Sequence, residues 1–235
     1  MCGRFAASAG TDDIVEEFVI DEVVDEVLPT FNAAPTDPVP AVVERLDRDT
    51  GRVVRKLVAP RWGLVPSWSK DASGAARLIN ARVETVASKP AFRKAFAARR
   101  CLVPADGYYE WLTLPPAASG GKPVKQPWFI APADGGPFAM AGLYEFWRNP
   151  ATDVWLTTCT LITTQSTDVV GHLHDRMPMT VAPDAWGEWL DPRVTDPDAA
   201  RALLSVLEGA AVTSWRVSPA VNSVRNNGPE LLDPA

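Results

Sequence analysis

The sequence predicts an α+β protein: a single domain over residues 1–235 with a β-barrel-like, mainly antiparallel core flanked by short helices. Three observations lead there. Between residues 100 and 165 the short apolar or alternating segments "RCLVPA", "GYYEWL", "PWFIAP", "FAMAGLYEFW" and "VWLTTCTLITT" follow one another, separated by turn-rich stretches such as "PPAASGGKP". Helical spacing is confined to short pieces before and after this block. No internal repeat stands out, and no linker is long enough to divide the chain.

In chain order, Thr11 to Val27 reads as one amphipathic helix, with Asp12 and Asp13 near its start and Ile14, Val15, Phe18, Val19 and Val23 at helical spacing. From Val39 to Val58 two β-branched runs flank "DRDTG", a hairpin signal. "PRWGLVPSW" is broken by prolines and a glycine and reads as a loop or edge strand. "LINARVETVASKPAFRKAFAARR" reads as two helical pieces divided at Ser88 to Pro90, since proline favours the first turn of a new helix. "PDAWGEWL" and "DPDAARALLSVLEGA" read as helices, "AVTSWRV" as a last strand, and residues 218–235 as an irregular tail.

At 235 residues with 46% apolar content, the chain can bury a substantial core. Three widely spaced cysteines, Cys2, Cys101 and Cys159, and no charged-then-apolar leader lead us to expect a reducing, cytoplasmic setting. No stretch approaches the roughly 18 apolar residues of a membrane span. A net charge of −6 argues against coating duplex DNA through general electrostatics, although arginines thicken between Arg52 and Arg100 and permit a local basic face.

The candidate chemistry begins with "MCGRF". Cys2 is small enough to allow removal of Met1, which leaves an α-amine and a thiol on adjacent carbons, a pair that suits capture of an electrophile. Glu110, in the aromatic segment "GYYEW", is either a strand carboxylate facing water or one desolvated into a general acid or base. His172 and His174 would share a face on a strand, but no third ligand completes a metal site, and we expect none. Asn80 in "INAR" can both donate and accept, and so can orient a reacting group; its structural alternative is a helix cap. Arg4 and Arg82 suit phosphate contact or surface ion pairs, and Trp68 suits stacking against a base or plain packing.

Taken together, "MCGRF", "LINARVET", "DGYYEW" and "HLHDRMP", with "FNAAPT", "PRWGLVPSW", "KPAFRKAF" and "ITT" in the same order, resemble the SRAP family, the abasic-site processing proteins once described as SOS-response-associated peptidases. The resemblance implies covalent capture of abasic sites in single-stranded DNA by the processed N-terminal cysteine, without a cofactor. By residue-by-residue carry-over it implies Cys2, Asn80, Glu110 and His174 as the catalytic set, and Arg4, Asn32, Trp68 and Arg82 as DNA contacts. Glu110 would shuttle protons and assist release of Met1, and His174 would sit beside the sugar; His172 is not carried over. The expected partners are single-stranded DNA with abasic sites and replication-fork proteins, with no membrane. The chain is expected to be a monomer, nucleoid-associated when bound. Two rivals remain: a glutamine amidotransferase-like enzyme using Cys2 as an N-terminal nucleophile, and a non-covalent single-strand binding module in which Cys2 is incidental.

Overall fold

The computed structural model describes residues 2–115, 123–136 and 138–235; most of the "PPAASGGKP" stretch lies outside them. Along the chain the strands are β1 (Phe5–Ala7), β2 (Glu22–Val23), β3 (Thr30–Ala33), β4 (Ala41–Leu46), β5 (Val53–Val58), β6 (Arg61–Trp62), β7 (Asn80–Arg82), β8 (Arg100–Ala105), β9 (Gly107–Leu114), β10 (Val124–Pro132), β11 (Phe138–Arg148), β12 (Trp155–Gln165), β13 (Arg176–Pro178) and β14 (Val212–Arg216). The α-helices are α1 (Thr11–Phe18), α2 (Arg93–Ala98), α3 (Asp168–Gly171), α4 (Trp186–Leu190) and α5 (Pro197–Ala202). The α+β class stands.

The strands form two sheets. One runs β14-β10-β9-β1-β3; the other runs β13-β12-β11-β8-β4-β5-β2, with β6 and β7 added in parallel along β12. Neither closes on itself among the described strands, so the barrel-like core consists of two facing sheets. Side chains of a strand alternate between its faces, and the burial follows that rule. Phe5, Tyr108 and Ile130 from the first sheet meet Val43, Cys101, Val103, Met140, Cys159 and Leu161 from the second in a shared core. Their sequence neighbours point outward. Ala6, Tyr109 and Phe129 pack under Val217, Val221 and Leu231 of the tail. Val42, Leu102, Ala141 and Ile162 pack under Phe18 of α1, Phe96 of α2 and Trp189 of α4. The tail is therefore a cover over one sheet, built from short 3-10 turns.

Three helical expectations give way to sheet edges that needed partners. α1 stops at Phe18, where Val19 takes a left-handed conformation (φ 52°) and is 73% exposed. The chain beyond is captured by β5: Arg55 N–H donates to the Asp21 carboxylate, and Glu22–Val23 pair in parallel with Lys56–Leu57. The first piece of "LINARVET" is not helical but forms β7, pairing Asn80–Arg82 with Leu161–Thr163. A helix there would leave that edge of β12 without hydrogen bonds. In "DPDAARALLSVLEGA" the helix ends at Ala202, because Ser205 exchanges backbone hydrogen bonds with Thr180. The β4–β5 hairpin forms as read. No helix among the described residues is long and apolar enough to cross a membrane.

Arg100 fastens the helical layer. It is 2% exposed and lies over Trp189, and its guanidinium donates to four backbone carbonyls: Phe96 and Ala97 of α2, and Trp189 and Asp191 at the end of α4. These are carbonyls that a helix terminus leaves without intrahelical donors. Arg100→Met keeps the apolar stem and strands the carbonyls, so we expect the urea midpoint to report a loss of about 3 kcal/mol. A loss near zero would mean that water replaces the guanidinium.

Candidate active site

β1 lies between β9 and β3, and this placement carries the chain start into the space between the sheets. Phe5 anchors it edge-on against Trp62 at 5.0 Å. Cys2 is fully buried as a result. Its carbonyl accepts a hydrogen bond from Asn80 Nδ2 at 2.8 Å. Asn80 owes its position to β7 rather than to a helix cap, and its Oδ1 is buried without a hydrogen-bond partner among the described residues. A buried amide oxygen of this kind is an acceptor held ready for a donor.

Glu110 faces the same interior. It stands on β9 two residues beyond Tyr108, whose side chain joins the shared core, and it is 4% exposed. Of the two alternatives for Glu110, the structure has the desolvated carboxyl group and not the strand carboxylate facing water. Burial pushes Glu110 up to about 7, and the Asp175 carboxylate adds to the shift. The Cys2 thiol is likewise pushed up, by burial first and by the Glu110 charge second. Tyr108 is raised by burial and by the charges of Cys2 and Glu110. These mutual influences place Cys2, Tyr108 and Glu110 in one electrostatic neighbourhood.

His172 and His174 do not share a strand face, because they lie in the loop after α3. His174 Nδ1 accepts from the Arg176 backbone N–H at 2.9 Å and also lies 2.8 Å from Asp175 Oδ1. Those contacts compete, since only the second needs a proton on Nδ1. Burial lowers the His174 pKa, with Asp175 opposing. The neutral ring, with its proton on Nε2, is the form that the first contact selects. Arg176 fixes the loop: its guanidinium grips both Glu84 oxygens at 2.6 and 3.1 Å and donates to the Thr163 carbonyl at 2.6 Å. Sequence reasoning missed Tyr108, Asp175, Arg176 and Glu84, although all four lie inside the quoted motifs.

The other candidates divide. Arg4 and Asn32 come together, bonded Nη1 to Oδ1 at 2.6 Å, and both are engaged with the tail: Arg4 donates to the Val221 carbonyl, and Asn32 Nδ2 faces the carbonyls of Val221, Ser223 and Asn226. Arg82 is exposed at the end of β7. Trp68 is 65% exposed on an open cleft of about 450 Å³ that also includes Lys70 and Arg77. A larger cleft, about 520 Å³, lies beside α1 and is lined by Phe18, Phe129 and Trp215; none of the candidate residues lines it. Among the described residues no three His, Cys, Asp or Glu side chains cluster as a metal site would require.

Comparison with known proteins decides the family. The sequence profile of SRAP, the SOS response associated peptidase family, matches residues 1–224. The chain belongs to the SRAP family. Among its SRAP relatives, the abasic site processing protein YoqW of Bacillus subtilis is 40% identical over 235 residues, covering 99% of each chain. The abasic site processing protein YedK of Escherichia coli is 33% identical over 242 residues, covering 100% of each. A crystal structure of a protein from Bacteroides thetaiotaomicron superimposes with a TM-score of 0.82 over 100% of each chain at 22% identity, which establishes the shared fold.

Proposed function

We propose that this SRAP protein recognises abasic sites in single-stranded DNA and captures them covalently through Cys2 after Met1 is removed. One observation carries the reading: a buried carboxyl group poised near neutrality, Glu110, lies close enough to the buried Cys2 to raise its thiol, and Asn80 holds the Cys2 main chain. The relatives' names support it.

The chemistry closes in protons. An open abasic sugar presents an aldehyde, and an α-amine with a pKa of about 7.7–8.0 is substantially neutral near pH 7.5. The amine adds to the carbonyl carbon to give a carbinolamine. Glu110, protonated, donates to the departing hydroxyl, so water leaves and an iminium and a carboxylate remain. Cys2 Sγ then bonds to the iminium carbon while its proton passes to Glu110. A neutral five-membered thiazolidine results, Glu110 is again protonated, and one water is the only by-product. The raised pKa of the thiol suits this order, because sulfur keeps its proton until a base is generated beside it. Well-oriented intramolecular attack reaches effective molarities of about 10⁵ M or more, so closure outruns loss of the imine. Ring formation removes the imine that would promote strand cleavage.

Asn80 Oδ1 receives the freed amine in this scheme. His174, neutral with Nε2–H, donates toward the sugar or its phosphate. Trp68, Arg4 and Arg82 serve the strand on either side. Release of Met1 by the same Glu110 is the peptidase role we assign. The test mixes purified protein with an oligonucleotide carrying one abasic site and reads denaturing electrophoresis and intact mass. A heat-stable adduct of condensation mass supports the proposal. Its absence from protein verified to lack Met1 would sink it, and glutamine hydrolysis would become the next assay.

A further inference from the structure

Glu110 begins a row of side chains that leads out of the pocket. Trp128 of β10 pairs directly with Glu110 of β9, and Arg216 of β14 pairs directly with Trp128. Directly paired residues stand on the same face of a sheet, so all three project toward the same side. Neighbouring strands lie about 4.8 Å apart, which puts Arg216 two strand spacings, on the order of 10 Å, from Glu110. Its guanidinium lies over the Trp128 ring, 5.6 Å from the centroid. His172 meets the same ring edge-on at 6.1 Å. The Trp128 Nε1–H is buried without a hydrogen-bond partner among the described residues. The ring thus makes its contacts through its π surface, packed against His172 and beneath Arg216.

Arg216 itself is exposed and makes no ion pair among the described residues. An arginine braced on an indole keeps its fork pre-oriented, and a phosphate is the ligand that matches that fork. In a chain of net charge −6, a cation at the end of a row rising from the reactive pocket is well placed to hold a polyanion. We infer that Arg216, seated on Trp128, binds a backbone phosphate flanking the abasic sugar and so sets the path of the strand away from Cys2. The inference rests on the abasic-strand reading above.

The test separates the two. Fluorescence anisotropy with a 15-nucleotide strand carrying a tetrahydrofuran analogue, which has no aldehyde, reads binding without chemistry. Arg216→Ala should weaken binding about five- to tenfold at low salt and reduce the slope of log K against log salt by about 0.7, the value of one single-strand phosphate contact. Arg216→Lys should restore most of the slope, whereas Trp128→Phe, which keeps a smaller ring beneath the arginine, should give an intermediate loss. Unchanged affinity and slope in Arg216→Ala would overturn the inference. Adduct formation on an aldehyde-bearing strand is scored separately, so its failure in wild-type protein counts against capture by Cys2 while the binding result still judges Arg216.

Discussion

Glu110→Gln is expected to slow adduct formation by about 10²–10⁴-fold, the range for loss of a positioned general acid–base, while making the folded protein harder to melt at pH 8. Both effects come from one fact: the carboxyl group sits at about 7 because burial disfavours its charge. Between its ordinary value of 4.5 and about 7 the folded state binds more protons than the unfolded state. Stability therefore falls as pH rises through that window, by an amount on the order of 3 kcal/mol. Glutamine cannot ionise and avoids the loss. Thermal melts should show the variant ahead of wild type at pH 8, by roughly 2–4 °C per kcal/mol recovered, and level with it at pH 5. The kinetic profile should change as well. In wild type the rate declines above about pH 7 as Glu110 loses the proton it donates, and the variant lacks that limb. A variant that keeps wild-type speed would remove Glu110 from the chemistry.

Cys2→Ala is expected to abolish the heat-stable adduct without abolishing contact with the lesion. Met1 is removable before alanine too, so the variant still presents an α-amine. It can form the imine but cannot close the ring, so its linkage stays reversible and open to β-elimination of the strand. Borohydride should trap that imine, giving a mass that contains the reduced C–N bond, whereas unreduced samples should fall apart on heating. If unreduced Cys2→Ala gives the same heat-resistant band as wild type, sulfur takes no part in the linkage. Loss of the buried sulfur should cost on the order of 1 kcal/mol, as other small core truncations do, so failure to fold is not the expected explanation.

The β-rich middle of the chain was legible because alternation and turn residues act locally: β8 through β12 formed where the pattern put them. The errors share a cause. The Glu22–Val23 segment and "LINARVET" carry apolar spacing compatible with a helix, but the edges of β5 and β12 offered them backbone partners from distant sequence, and no local pattern shows that offer. For the site, residue chemistry marked the Cys2 aminothiol, and motif resemblance marked Asn80, Glu110 and His174. Whether Glu110 faced water or protein depended on which sheet lay opposite β9. The tie between Arg176 and Glu84, 92 residues apart, was equally invisible, since each looked like an ordinary surface charge.

The knot formed by Arg4, Asn32 and the carbonyls near Val221 also imposes a timetable. Arg4 and Val221 are 217 positions apart, so at 5–20 residues per second a ribosome needs roughly 10–40 s between making one and making the other. Through that interval the strand leading from Cys2 lacks the ties to the tail that hold Arg4 and Asn32 in the finished fold.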